Sequence, residues 1–138
     1  MVKTPIETAK DWLDTAKITS NAGRYEQSLY ALEISVEIAL KAVLISVHVE
    51  VPKVHDIRKT VKTFLLGNKK IPKSFIDQLD DYSSTFATLL MLRSIVGYGF
   101  EGGIDSAEIE RQAKILLPKC SDMIATCENA IKHIDGKK

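Results

Sequence analysis

"RYEQSLYALEISVEIALKAVLISVHV", residues 24–49, decides the fold. Its second half is apolar on almost every side, the mark of a helix buried at the centre of a bundle or between two subunits. No alternating strand pattern of useful length occurs elsewhere, and there is no internal repeat or low-complexity segment. The remaining helical segments are therefore expected to surround this one in an all-α, antiparallel bundle of about five helices with a four-helix up-and-down core.

Upstream, "TPIETAKDWLDTAKITSNAG" places Thr4 as N-cap, Pro5 at the first helical position and Glu7 three residues on from the cap, a complete capping box. Ile6, Ala9, Leu13 and Ala16 form an apolar stripe with Trp12 at its edge, and Gly23 stops the helix, so the first two helices form a short-looped hairpin. Downstream, Pro52 separates helix two from a shorter helix, "VHDIRKTVKTFLL", residues 54–66, which Gly67 and Asn68 end. A long fourth helix is expected from about Lys73 to Val96, with Phe75, Leu79, Tyr82, Phe86 and Leu90 on one stripe. The last helix starts at Asp105, capped through Glu108, and runs to about Ile134, with Pro118 expected to kink or break it.

A chain of 138 residues buries a real core without metal or disulfide, and residues 1–138 read as one domain. The formal net charge of +1 excludes a general nucleic-acid binder that works by bulk charge. The charge is nevertheless unevenly spread: residues 53–73 hold seven Lys or Arg against Asp56 alone, a net +6, on a body of −5. Such a segment attracts phosphate locally or forms an ordinary solvated surface. Cys120 and Cys127 lie seven residues apart on one helix face, roughly 10 Å along the axis, too far for a disulfide, and are expected as buried free thiols. Without a leader pattern, lipidation signal or spanning apolar run, the chain reads as cytoplasmic.

Arg93 lies 18 residues after Phe75, about five helical turns, so the arginine projects from the same stripe as the aromatic. An uncompensated guanidinium there is costly, so an acid such as Glu33 or Glu37, an anion or a second subunit must meet it. Glu33, Glu37 and Lys41 recur at four-residue intervals: Glu37 pairs with Lys41, and Glu33 repels Glu37 unless a cation intervenes, for which Arg93 is the candidate. The "GYGFEGG" beyond Arg93 matches no phosphate-loop fingerprint, since no strand precedes it. Tyr98 and Phe100 would anchor that loop. His55 is expected at the start of the third helix, against a neighbour; His48 and His133 read as surface residues. No spacing of His, Cys, Asp or Glu matches a zinc or calcium site, and no metal or cofactor is expected. No Ser, His and acid form a local nucleophile motif.

"GRYEQSLYALEISVEIALKAVL", then "VPKVHDI", then an Arg-led segment late in a long helix, resembles the HEPN domain (higher eukaryotes and prokaryotes nucleotide-binding) in its small stand-alone prokaryotic form. Gly23, Tyr25, Glu37, Leu40, Lys41, Ala42, Pro52 and His55 carry the resemblance, which spans nearly the whole chain. It implies an antiparallel bundle that commonly dimerises, and in many members a metal-independent ribonuclease with Arg, four to six residues, then His. This chain departs from that pattern: Tyr98 stands where the His would be, Ser94 replaces the usual Asn or Asp, and Phe100 falls where a tyrosine is often found. An imidazole exchanges protons at neutral pH, whereas a phenol donates but seldom accepts.

The leading expectation is a dimer that binds RNA or a nucleotide in a cleft lined by Arg93, Ser94, Tyr98, Glu37 and His55, with weak or no catalysis. Dimerisation is expected from the apolar excess of helix two and from Arg93 meeting its symmetry mate. Two alternatives stand beside it. One is a toxin-like ribonuclease using Arg93 on phosphate and Tyr98 as proton donor. The other is an interaction module for a nucleotidyltransferase-like subunit, as in toxin–antitoxin pairs.

Overall fold

Thr4 closes the start of the first helix, α1 (Pro5–Asn21), through the expected reciprocal bonds: its hydroxyl accepts from the Glu7 N–H and the Glu7 carboxylate accepts from the Thr4 N–H. The structure is a computed structural model and describes residues 2–99 and 102–136. Ala9, Leu13 and Ala16 of α1 are buried, with Ile6 and Trp12 packed at the edge of the core. Gly23, at φ +76°, takes the left-handed turn that L side chains resist and sends the chain back into α2 (Tyr25–Ser46). Ser28 Oγ then donates to the Ala16 carbonyl at 2.9 Å, stitching the hairpin from inside.

α2 is the axis of the fold. It packs against α1 and against the later helices α3 (Arg58–Leu65), α5 (Leu79–Tyr98) and α6 (Ser106–Asp135). Leu29, Leu32, Val36, Ala39, Leu40, Val43 and Leu44 are all buried within the one chain. The apolar excess that suggested a subunit contact on helix two is thus absorbed by intrachain neighbours, and α2 leaves no broad apolar face for a second copy.

Three further expectations need correction. The third helix starts at Arg58, not Val54, because Asp56 turns the chain beforehand by accepting from the Arg58 backbone N–H at 3.2 Å and from its guanidinium. His55 therefore lies in the loop between α2 and α3 rather than in the helix. The long fourth helix is two helices, α4 (Lys73–Ile76) and α5. At the break Gln78 N–H reaches back only to the Phe75 carbonyl, and α5 restarts with Asp80 and Asp81 in its first turn, where the helix dipole favours negative charge. The five-turn count from Phe75 to Arg93 crosses this break; the inward aim of Arg93 follows instead from Phe86, seven residues earlier on α5 itself. Finally, α6 runs through Pro118 unbroken, because that proline is on the solvent side and the Lys114 carbonyl it deprives of a partner can be hydrated.

At the start of α6 the Asp105 side chain accepts from the Glu108 N–H, as expected. The buried apolar residues form one core drawn from all six helices found among the described residues. Cys120 and Cys127 are inside it as free thiols, and burial pushes both up to about 12, so neither is a nucleophile near neutral pH. Among the described residues no helix is long and apolar enough to cross a membrane.

Candidate functional site

Positions 30, 33, 37 and 41 of α2 share one helix face, and that face looks at the later turns of α5 and the α2–α3 loop. Arg93 comes in from α5 and its Nη1 donates to Glu33 Oε2 at 2.7 Å. The guanidinium carbon also stands 4.9 Å from the centroid of the Tyr30 ring, so the aromatic face holds the planar head from one side. Behind this pair, Lys41 Nζ donates to Glu37 Oε2 at 2.9 Å, the expected four-residue pair. The other Glu37 oxygen, Oε1, is 3.1 Å from Nδ1 of His55, which the α2–α3 loop delivers to the same place.

Arg93, Ser94, Tyr98 and His55 line a single open cavity of about 350 Å³ together with Tyr30, Leu90 and Gly97. Glu37 stands one layer behind, touching the cavity through His55. The five residues singled out in the sequence are thus neighbours in space. Tyr98, at the end of α5 and 82% exposed, is an open lip of the cavity rather than an anchor against the bundle; Phe100, its expected companion, lies outside the described residues. Tyr30 was missed, although its spacing of three and seven residues from Glu33 and Glu37 places it on their face. A larger groove of about 690 Å³ lies elsewhere, between the α4–α5 region and α6, where Asp81 and Asp122 alternate with Lys119 and His133. His48, at φ +63°, ends α2 on the surface.

The charge state of Glu33 decides what Arg93 has to offer. Glu33 is 0% exposed, and its Oε1 has no donor within reach. Burial first, and then the neighbouring Glu37 carboxyl, push Glu33 up to about 8 despite the opposing pull of Arg93. Glu37 is also pushed up by burial, but hydrogen bonds from Lys41, Glu33 and His55 outweigh that and hold it below the ordinary carboxylate range. The raised Glu33 favours its protonated form, which can donate to Glu37 while Oε2 accepts from Arg93. A protonated Glu33 neutralises less of the positive charge that Arg93 holds at the wall of an open cavity.

Oxygen and nitrogen atoms of Glu33, Glu37 and His55 lie within 4.8 Å of one another, a spacing that suits a cation. The same two carboxyls already serve Arg93 and Lys41, so a divalent ion would have to displace or face two fixed positive charges. The arrangement suits an anion better: a guanidinium fork, a Tyr30 face behind it, and the hydroxyls of Ser94 and Tyr98 around the opening.

α3, which follows His55 by three residues, packs against both α2 and α5 and exposes Lys59 and Lys62. The basic segment of the sequence thus begins beside the cavity. A family model for the HEPN domain matches residues 2–130. Comparison with curated proteins and with solved structures gives no match.

Proposed function

The chain belongs to the HEPN domain family, and from that premise we propose that it binds a phosphate-bearing ligand, RNA or a nucleotide, in the Arg93 cavity. The observation that carries this reading is the Arg93 guanidinium at the wall of an open cavity, beside the Tyr30 ring and the Ser94 and Tyr98 side chains, with burial raising the pKa of its carboxyl partner Glu33. HEPN domains are generally related to nucleotides or RNA, and the ligand class agrees with the guanidinium, hydroxyl and aromatic lining. The basic run from Lys53 to Lys73 favours an extended polyanion over a lone nucleotide, because it offers further phosphates a place to lie.

HEPN domains often dimerise, and we assign the subunit contact to α5 rather than to α2. Met91, Ile95 and Tyr98 are exposed and follow one another at four and three residues on the outer face of α5.

Fluorescence anisotropy with a short single-stranded RNA tests the ligand. Arg93→Ala should weaken binding by at least about tenfold, the worth of one charge-assisted bidentate contact. Equal affinity of the variant and the parent would remove the proposed site. A second reading, docking of a nucleotidyltransferase-like protein, draws on the same exposed α5 face; it gains ground only if neither RNA nor nucleotides raise the melting temperature.

A further inference from the structure

The groove of about 690 Å³ between the α4–α5 region and α6 plays no part in the phosphate reading, and its lining has a chemistry of its own. Lys119, Asp122, Thr126, Asn129 and His133 recur at three and four residues, so α6 gives the groove one continuous polar face, about 21 Å long at 1.5 Å per residue. α5 contributes Asp81 and Thr85. Among the described residues, neither the Asp81 nor the Asp122 carboxylate forms an ion pair or accepts a hydrogen bond, even though Lys119 stands three residues from Asp122. Both charges reach the same phenol: burial raises Tyr82 above its ordinary range, and Asp81 and Asp122 are near enough to add to that rise. Thr85 gives an independent sign. It is 6% exposed and its hydroxyl bonds to no described residue, whereas Thr88 on the same helix donates to the Ser84 carbonyl at 3.1 Å. A hydroxyl set so deep in a groove wall, with no partner in the chain, is suited to a ligand.

We propose that this groove binds an elongated organic cation, an aliphatic diamine or polyamine, with Asp81 and Asp122 as its counter-ions. An ammonium group at the two aspartates makes the charge-assisted hydrogen bonds that neither carboxylate makes within the chain. The methylene stem lies on Met123 and Ala130, both buried in the floor of the groove. Lys119 sets the direction: the ligand runs from the aspartates toward Asn129, away from the lysine's charge. Its remaining N–H groups find acceptors in the Thr85 hydroxyl and in the side-chain oxygens of Gln78 and Asn129. An anion of comparable size would gain Lys119 but face two aspartates whose charge nothing in the chain neutralises. A bare metal ion fits less well, because among the described residues Asp81 and Asp122 have no third His, Cys, Asp or Glu close enough to complete a cluster, and an ion would leave the apolar floor uncovered.

Isothermal titration of the purified full chain, freed of nucleic acid, with spermidine in about 0.15 M NaCl tests the site. The expected result is one saturable event per chain, with spermidine raising the melting temperature. Asp81→Asn and Asp122→Asn should each weaken binding at least about tenfold, and Thr85→Val about threefold. Both aspartates are exposed, so their variants are expected to melt as the parent does without spermidine, and that melt is the control for folding. Arg93→Ala should bind spermidine as tightly as the parent, so failure of this groove and failure of the phosphate reading are seen separately. Absence of a saturable event in the wild type overturns the proposal, as does binding that appears only in salt-poor buffer. Undiminished affinity in both aspartate variants overturns it as well. So does displacement of spermidine by an equal concentration of magnesium, which marks diffuse attraction rather than a fitted site.

Discussion

Glu33 carries more of the site's physics than its position in a buried helix face announces. A carboxyl at 0% exposure beside a second carboxyl cannot ionise freely, and the proton it keeps turns two repelling acids into a donor and an acceptor. Glu33→Gln reproduces that neutral form, with an amide to donate to Glu37 and a carbonyl to accept from Arg93. It should leave stability at neutral pH within about 1 kcal/mol of the parent. Glu33→Ala strips both partners at once and should cost about 3 kcal/mol in urea unfolding. The pH dependence has a definite sign. Because the folded state holds this group up near 8 against an ordinary value of 4.5, its contribution is complete below 4.5 and is lost as pH rises through about 8. Melting curves of wild type and Glu33→Gln should therefore diverge over that window, with the wild type losing ground at higher pH. Curves that stay parallel would rule out the shared proton.

At the scale of elements, the break anticipated from the sequence did not occur, and one that was not anticipated did. Pro118 was expected to interrupt the last helix, but α6 continues because the lost bond is on the wet side. Restoring that bond with Pro118→Ala should raise stability by up to about 3 kcal/mol, measurable as an upward shift in melting temperature. No proline or glycine marks the break between Ile76 and Leu79, across which Phe75 and Tyr82 pack. Their rings meet edge to face at 5.7 Å across the junction, both buried. Gly23 behaves as its residue type demands: at φ +76° with open space around it, a methyl group meets no clash but a strained backbone. Gly23→Ala should cost about 1–2 kcal/mol, and circular dichroism should show helix content unchanged.

For the whole molecule, assembly is expected on the exposed outer stripe of α5, away from the side on which Arg93 meets Glu33. Changing Ile95 to Lys places a charge in the exposed stripe of Met91, Ile95 and Tyr98 without touching the core. Sedimentation velocity should then show a monomer where the parent shows a dimer, with the melting temperature little changed; a parent that is monomeric at every concentration would remove the α5 assignment. Much of the architecture was legible in the chain itself. Capping residues Thr4 and Asp105, the stop at Gly23 and the apolar run of α2 act through local backbone chemistry and helical periodicity, so they announced a helical bundle and its boundaries. Arg93, Glu33 and Glu37 were also visible, because a charge on an apolar stripe demands a partner wherever it occurs. What the sequence could not supply was the choice among partners 18 to 60 residues apart: that His55 leaves the helix and lies against Glu37, that Tyr30 backs the guanidinium, and that α2 spends its apolar surface on its own chain. Those outcomes depend on which faces meet when the helices close together. Only the packed bundle, by excluding water from Glu33, makes one buried proton the least costly way to satisfy the site.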